Sequence, residues 1–270
     1  MATTAWDPRQ YERFASERGR PFHELVARIP TTDAVAVVDL GCGPGTMTAT
    51  LAERWPSAAI LGIDSSPEMI QAAQAHATEQ LTFRLGDLSA WTPEPASVDV
   101  ILANAAFQWV PEHAALLSRL AAGLDAGGAL AFQVPVTGTM TATEIMRGVA
   151  REEPWRERLA TVESATGPRG ASPVLAPAQY VDLLAGAGLT VDAWETTYYH
   201  VLTGPEPVLE WFAGTGLRPY LRALAPDETA VEAFRAEIAR RLRDAYPAQP
   251  YGTVLPFPRL FVVATKEARR

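Results

Sequence analysis

Short apolar runs alternate with amphipathic stretches through the first half of the chain. The runs cover residues 34–40, 58–64, 81–87, 98–104 and 129–135 and are rich in valine, isoleucine, leucine and alanine. Continuous apolar runs of this length are typical of parallel strands buried on both faces, and apolar residues spaced by three or four are typical of helices. The periodicity alone predicts an α/β fold with a mostly parallel sheet, and the order of the elements along the chain fits a doubly wound sheet.

The strand–helix rhythm changes after residue 135. Segment 136–176 contains one helical stretch (142–150) and a Gly/Pro/Ser-rich connection, and segment 204–250 contains a long helix after Pro226. A helix at 177–187 and strands at 190–202 and 255–265 complete the pattern. We therefore predict seven strands, with two insertions ahead of the last two strands.

The first 30 residues read as a helical lead-in. Asp7 and Pro8 form a helix start signal, and apolar residues follow at helical spacing. Gly19 and Pro21 predict a break between two helices, which would present Arg18 and Arg20.

A glycine-rich turn follows the first predicted strand, in the order Asp39-Leu40-Gly41-Cys42-Gly43-Pro44-Gly45. Glycine lets the backbone adopt unusual dihedral angles and lets a ligand approach closely. Thr46 stands where a dinucleotide fingerprint has its third glycine, and no Gly-Lys-Ser/Thr follows, which excludes a phosphate-binding Walker loop. The acid entering the turn is unfavourable beside a pyrophosphate and favours a cationic ligand.

Four polar residues stand at the ends of four successive predicted strands: Asp39, Asp64, Asp87 and Asn104. The carboxyl ends of parallel strands form the edge at which open α/β sheets bind ligands. Asp64 comes 19 residues after Gly45, and an acid at about this spacing accepts hydrogen bonds from ribose hydroxyls. The sequence predicts a nucleoside-binding edge.

Charge and cysteine usage narrow the choice of partners. The 270 residues carry a formal net charge of −8, which does not favour binding to nucleic acid or to an anionic membrane. An anionic substrate would therefore need a local cluster of basic residues. The single cysteine, Cys42, cannot form an internal disulfide, and no signal peptide or membrane span stands out. We expect a cytoplasmic protein.

The residues from Asp39 to Gly45 resemble the first motif of the class I S-adenosylmethionine-dependent methyltransferases. A nucleotide-binding turn for another ligand is the alternative. The resemblance implies a Rossmann-like sheet in which Asp64 holds the ribose, residues 86–88 frame the adenine, and Asn104 lies near the methionine moiety. The cofactor-binding residues that it implies are Asp39, Gly41, Cys42, Gly43, Asp64, Ser65, Asp87, Leu88, Asn104 and Arg20.

A closer resemblance covers nearly the whole chain. Segments 6–8, 16–21, 104–109, 196–200, 215–219 and 257–261 together resemble the trans-aconitate 2-methyltransferases, most weakly over 150–176. The resemblance implies methyl transfer from S-adenosyl-L-methionine to a carboxylate of a small polycarboxylate, with S-adenosyl-L-homocysteine as the product and no metal. A carboxylate is already ionised near pH 7, so we expect no general base.

A polycarboxylate needs cationic and hydroxyl anchors, and arginine pairs with carboxylates through two parallel hydrogen bonds. By the period of two in a strand, Tyr198 and His200 share one face and Tyr199 takes the other. Phe107 and Trp109 either line the substrate pocket or pack under the next helix. The predicted substrate-binding residues are Arg18, Trp109, Tyr198, Tyr199, His200, Arg218 and Arg259.

Within this resemblance we expect one methyltransferase domain over 1–270, with a cofactor-binding half at 31–135. The insertions at 136–176 and 204–250 would form a helical substrate cap. We expect a monomer or small homo-oligomer that binds neither nucleic acid nor membrane. Three alternatives stay open: a methyltransferase for another acid such as a malonyl thioester on a carrier protein, one for a secondary metabolite, and a non-catalytic S-adenosylmethionine-binding protein.

Overall fold

The computed structural model describes residues 15–110, 113–166 and 174–268. The chain divides into two compact units. The first comprises Met1–Pro135, Pro173–Thr196 and Leu260–Arg270, and the second comprises Val136–Ser172 and Thr197–Arg259. The predicted insertions, 136–176 and 204–250, lie largely within the second unit.

A seven-stranded sheet organises the fold. The strands are β1 (Ala36–Leu40), β2 (Ala59–Asp64), β3 (Leu81–Leu85), β4 (Val98–Asn104), β5 (Leu124–Pro135), β6 (Leu189–Leu202) and β7 (Thr253–Lys266). Their order is β3-β2-β1-β4-β5-β7-β6. The first five strands pair in parallel with one another, and Asp39 lies opposite both Gly62 of β2 and Leu102 of β4. The order reverses between β1 and β4, which is where ligands bind in doubly wound sheets.

The central strands are apolar because they are covered on both faces. Val100, Ile101, Leu102 and Ala103 of β4 are all fully buried, as are most residues of β1 and the second half of β5. Burial of this kind contributes roughly 25 cal/mol per Å² of apolar surface removed from water. It fixes the register of the strands and therefore the position of the residues at their carboxyl ends.

Helices flank this sheet in the first unit. They are α1 (Ala15–Ala27), α2 (Thr46–Ala49), α3 (Leu51–Arg54), α4 (Pro67–Ala73), α5 (His113–Gly123) and α8 (Pro177–Gly186), with 3₁₀ turns at Gln74–His76 and Phe107–Trp109. Helix α4 begins as its sequence predicts. Ser66 accepts a hydrogen bond from the Met69 backbone and Pro67 occupies the first turn.

The second unit is helical apart from the ends of β6 and β7. Its helices are α6 (Thr141–Ala150), α7 (Arg156–Thr166), α9 (Pro207–Ala213), α10 (Arg218–Leu224) and α11 (Glu228–Ala245). Phe234, Ile238 and Leu242 form the buried stripe of α11, as their spacing predicts. On the outer side of α11, Arg241 bonds to both Glu152 and Glu237, so Arg241 belongs to a surface ion-pair network.

The fold class predicted from the sequence is confirmed, but several boundaries were wrong. The amphipathic stretch after the glycine turn predicts one helix over 44–55, but the structure divides it at Thr50 into α2 and α3. Strand β3 ends at Leu85 rather than Asp87. Strand β5 begins at Leu124, because Gly127 and Gly128 lie inside the strand. Helix α7 was missed, because its polar sequence shows little apolar periodicity.

The predicted break at Gly19–Pro21 was wrong as well. Helix α1 continues from Ala15 to Ala27 with Pro21 inside it. Proline removes one backbone donor, at a cost of about 3 kcal/mol in a helix interior. Phe22 and Leu25 are fully buried beyond it, and this packing offsets the lost hydrogen bond. Residues 6–14 of the predicted lead-in lie outside the described residues.

A buried polar pair lies within the aromatic core of the first unit. His113 Nε2 and Tyr180 Oη are 2.8 Å apart, and the Tyr180 hydroxyl accepts a hydrogen bond from the Leu175 backbone. A phenol hydroxyl can both donate and accept, so the direction of this hydrogen bond follows the tautomer of the histidine. Burial lowers the pKa of His113. The ring of Phe107 stacks on His113 and contacts Phe132.

Over the described parts of the chain, we find no helix with the length and apolar character needed to span a bilayer.

Glycine is required at Gly62 of β2. A Cβ added there would lie 2.5 Å from the Phe83 ring and 3.0 Å from the Cys42 sulfur. We expect Gly62→Ala to lower the free energy of unfolding by about 1–3 kcal/mol through overpacking, measured by urea denaturation. Gly186→Ala is the control in the same unit, because nothing lies within 4 Å of its added Cβ, and it should be neutral or slightly stabilising. Equal effects of the two substitutions would contradict this account.

Candidate cofactor and substrate sites

The glycine turn between β1 and α2 is fixed by backbone hydrogen bonds to β2. The amides of Gly41 and Cys42 both donate to the Ile63 carbonyl, at 2.7 and 3.1 Å. Gly41, Gly43 and Gly45 all have positive φ, which an L-residue with a Cβ adopts only under strain.

The three glycines face different surroundings. A Cβ at Gly41 would lie 2.5 Å from the Cβ of Ala106, and one at Gly45 would lie 2.8 Å from the Phe83 ring. A Cβ at Gly43 would meet nothing within 4 Å. Two glycines therefore allow close packing with the strands around them, and the third leaves an open backbone surface that a ligand can approach.

Asp39, the acid just before the turn, is buried, with 2 % of its surface exposed. Its Oδ2 accepts a hydrogen bond of 2.7 Å from the Thr48 hydroxyl of α2, and its Oδ1 has no hydrogen-bond partner among the described residues. Burial raises the pKa of Asp39 from 3.8 to about 7. The Thr48 bond opposes this shift and the nearby Asp64 charge adds to it. A cation beside Oδ1 would compensate the burial of this carboxylate.

Asp64 stands at the end of β2, where the sequence predicts the ribose acceptor. Its Oδ2 accepts from the Gly43 amide at 3.0 Å, and its Oδ1 accepts from the Ser66 amide at 2.8 Å. Burial raises the pKa of Asp64, and the bonds from Ser66, Gly43 and Ser65 partly offset that rise. A carboxylate has about four acceptor positions, so it keeps capacity for ligand hydroxyls.

Asp87 and Leu88 follow β3. Asp87 is exposed, and its Oδ1 accepts from both the amide and the hydroxyl of Ser89, as in a turn cap. Leu88 is buried, and its Cδ2 lies 3.7 Å from the position of a Cβ at Gly41. The structure therefore brings Leu88 against the glycine turn and leaves Asp87 open to solvent.

Asn104 ends β4 opposite Gln133 of β5. The amide nitrogen of the Gln133 side chain donates to Asn104 Oδ1 at 2.6 Å. The next residue, Ala105, has φ +54 and donates its backbone amide to the Gln133 carbonyl. Gln133 was not among the predicted site residues. The sequence marks it only as a polar residue within the apolar run of β5.

Cys42 is buried inside the turn, where its sulfur packs against Gly62. Burial is the largest cause that raises the pKa of its thiol, and Asp39 and Asp64 add to the rise. A thiol in this environment stays protonated and is a poor nucleophile. Ser65, also predicted to bind the cofactor, is exposed at the start of α4.

The arginines of the lead-in lie on α1. Arg18 is half-buried and Arg20 is exposed. Between them a Cβ at Gly19 would lie 3.3 Å from the sulfur of Met47 in α2. The structure thus brings this part of α1 against the helix that follows the glycine turn.

The two aromatic residues after β4 have separate surroundings. Phe107 is fully buried in the core beside His113, so it packs beneath the following helix. Trp109 is 49 % exposed and is available to a ligand.

The second unit contains a buried polar–aromatic cluster. His200 lies between Tyr198 and Trp211, with ring centroids at 6.0 and 4.7 Å, and all three side chains are buried. Arg259 is 4 % exposed, and its guanidinium carbon lies 5.0 Å from the centre of the Phe257 ring. Tyr198 and His200 share the inner face of β6, as predicted. Trp211 and Phe257 were not predicted as site residues, although both lie in segments that the sequence analysis singled out.

Two further predicted substrate residues belong to the second unit. Tyr199 is 65 % exposed on the opposite face of β6. Arg218 begins α10 and lines a surface cleft of about 420 Å³. The other residues that line the cleft are Leu221, Arg222, Ala225, Glu228, Val231 and Glu232.

The first unit fits a cationic nucleoside cofactor. Asp39 offers a buried carboxylate oxygen that lacks a hydrogen-bond partner among the described residues, and Asp64 offers spare acceptor positions. Gly43 leaves backbone surface open beside Asp64. An ammonium or a sulfonium group requires a nearby carboxylate, and ribose hydroxyls require hydrogen-bond acceptors. Exposed backbone allows such a ligand to approach closely.

The raised pKa of Asp39 makes stability depend on pH. The folded state keeps its proton up to about pH 7, whereas the unfolded state loses it near pH 4, so the folded state binds more protons in between. The free energy of unfolding should therefore fall as pH rises from 4 to 7, by up to about 4 kcal/mol for this group. Asp39→Asn should remove that contribution in urea titrations across this range. Parallel pH profiles for the two proteins would contradict it.

Comparisons with known proteins agree with this geometry. Residues 37–128 match the model of a family described as a methyltransferase domain. The chain is similar to a trans-aconitate 2-methyltransferase from Streptomyces avermitilis, at 46 % identity over 99 % of each chain. It is also similar to one from Rhodococcus jostii, at 48 % identity over 96 % of this chain and 98 % of the relative.

The fold is similar to that of the YcgJ protein from Bacillus subtilis, with a TM-score of 0.58 and 12 % identity over 93 % of this chain and 99 % of that chain. A likeness at this identity supports the sheet architecture alone. The full-length similarity to the curated relatives goes further, and on that basis the chain belongs to the trans-aconitate 2-methyltransferase family.

Proposed function

We propose that this protein transfers the methyl group of S-adenosylmethionine to one carboxylate of trans-aconitate. The observation that carries the proposal is the polar edge of the first unit in a member of this family. There Asp64 and Asn104 end β2 and β4, and Asp39 is the last residue but one of β1 between them, beside an open glycine turn. Membership of the family supports a small-molecule substrate, and we propose that this substrate is trans-aconitate.

S-adenosylmethionine supplies a methyl group on a sulfonium centre, an electrophile that needs no metal. We propose that Asp39 interacts with the cationic part of this cofactor and that Asp64 accepts hydrogen bonds from its ribose hydroxyls. The open backbone at Gly43 allows the close approach that both contacts require. Leu88, packed against the turn, is assigned to the adenine face.

The cluster in the second unit suits a carboxylate ligand. Arg259 carries a planar, permanently charged group held over Phe257, and His200 and Tyr198 add hydrogen-bonding groups among aromatic rings. Charge-assisted hydrogen bonds are stronger where water is excluded. We propose that these three residues bind carboxylates of the acid. Arg18, Trp109, Tyr199 and Arg218 remain candidates with weaker support, because their described surroundings are more exposed.

The chemistry needs orientation rather than proton transfer. A carboxylate oxygen forms a bond to the methyl carbon while the carbon–sulfur bond breaks and its electron pair stays on sulfur. The acid is ionised at neutral pH, so the protein has no proton to remove. Its contribution is alignment of the two reactants and exclusion of water, which together can lower the barrier by several kcal/mol.

The first experiment measures methyl transfer from radiolabelled S-adenosylmethionine to trans-aconitate. Cis-aconitate, citrate and a malonyl thioester serve as competing acceptors. We expect label in a base-labile ester of trans-aconitate, well above the other acids. Preferential labelling of the malonyl thioester would favour the alternative acid. Cofactor binding without label in any acid would support the non-catalytic alternative and contradict the proposal.

Substitution of Arg259 tests the carboxylate anchor. Arg259→Lys keeps the charge but loses the planar fork and the contact with Phe257, and Arg259→Met keeps the bulk without charge. We expect the KM for trans-aconitate to rise at least about tenfold in the lysine variant and further in the methionine variant. The affinity for S-adenosylhomocysteine should change little in both.

Arg243→Ala is the matched control in the same unit, because this exposed arginine pairs with Glu206 on the surface. Its KM should stay at the wild-type value. Activity losses that follow the melting temperatures of all three variants would show that Arg259 has a structural role only.

A further inference from the structure

Gln133 contacts the end of β4 through both its backbone and its side chain. Its carbonyl accepts from the Ala105 amide at 3.0 Å, and its side-chain amide donates to Asn104 Oδ1 at 2.6 Å. Gln133 is itself fully buried in β5, opposite Asn104. A buried polar side chain in a central strand costs free energy unless its hydrogen bonds are satisfied, so its position here needs an explanation.

The segment held by Gln133 is strained. Ala105 has φ +54, a left-handed conformation that the Cβ of an alanine disfavours. Its carbonyl accepts a hydrogen bond of 2.6 Å from the side-chain amide of Gln108. Hydrogen bonds on both sides of Ala105 therefore hold a conformation that the backbone alone would avoid.

The bond from Gln133 determines which end of the Asn104 amide faces the ligand edge. Since Oδ1 is occupied by Gln133, the two N–H groups of Asn104 are turned away from Gln133. Asn104 is half-buried, and Ala106, two residues later, contacts the Gly41 backbone of the glycine turn. The donors of Asn104 thus lie at the edge where the cofactor is proposed to bind.

We propose that Gln133 is a positioning residue that acts through Asn104. It holds the Asn104 amide so that its N–H groups donate to a carboxylate oxygen of a bound ligand. Two sources supply that chemistry: the amino-acid part of the cofactor and the acid substrate. The inference rests on the proposed function, because that function places a ligand at this edge. It adds that Gln133 is the residue that makes Asn104 present its N–H groups, rather than its oxygen, to the ligand.

Gln133→Glu tests whether Gln133 determines which end of the Asn104 amide faces the ligand. An ionised carboxylate at this position cannot donate, so Asn104 must rotate, donate to that carboxylate and present its own oxygen to the ligand, where it repels a ligand carboxylate. The protonated form of the new side chain can donate as glutamine does, and burial favours this form. We expect the variant to lose at least about tenfold in affinity at pH 8 and to regain most of it towards pH 5.5.

Two measurements distinguish the ligand sources. The Kd of S-adenosylhomocysteine, measured by calorimetry, changes if the cofactor supplies the carboxylate. The KM of trans-aconitate changes if the acid supplies it. The calorimetric measurement does not depend on which acid is methylated, so an inactive wild-type protein would count against the proposed function alone. All values are expressed as the ratio of variant to wild type at each pH, so that the titration of Asp39 affects both proteins alike.

Gln133→Met and Val134→Ala complete the set. The methionine variant keeps the volume but has no donor, so it should lose affinity without recovery at low pH. Val134→Ala removes buried methyl groups from the same strand and should lower the melting temperature without changing Kd or KM. Wild-type Kd and KM in Gln133→Glu at pH 8, or equal losses at all pH values in the glutamate and methionine variants, would overturn the proposal. Recovery in Gln133→Glu alone supports it even if both variants are less stable.

Discussion

The contact between the Gly41 backbone and Ala106 is the constraint on which the polar edge of the first unit depends. It brings the turn after β1 against the segment after β4, at the point where the strand order reverses. Any side chain at position 41 would separate the two segments, since an added Cβ would lie 2.5 Å from Ala106. The hydrogen bonds from Gly41 and Cys42 to Ile63 connect the same turn to β2. One short turn therefore sets the relative positions of Asp39, Asp64 and Asn104.

This part of the molecule could be predicted from the sequence because its determinants are local. The apolar runs determine the strands, glycine spacing determines the turn, and the polar residue that ends each strand follows directly. The ends of β2 and β4 were predicted correctly, at Asp64 and Asn104. The role of Gln133 could not be predicted in this way, because it depends on which residue of β5 lies opposite Asn104.

The errors in prediction also have physical causes. Pro21 stays inside α1 because buried neighbours offset its missing donor, and tertiary packing of this kind leaves no local signal. Helix α7 carries little apolar periodicity, although Trp155 just before it contacts Phe234 of α11. The polar–aromatic cluster of the second unit joins β6, α9 and β7, which are far apart in the sequence. Tyr198, His200 and Arg259 could be proposed from the resemblance, but Trp211, Phe257 and the contacts within the cluster could not.

The burial of Asp39 has a consequence for how binding would be measured. A cation that binds beside its carboxylate favours the ionised form, while the free protein holds a proton there up to about pH 7. Below that pH, binding of a cationic cofactor would release up to one proton to the solvent. The heat of binding would then include the ionisation enthalpy of the buffer, and the apparent affinity would rise with pH until Asp39 is ionised in the free protein.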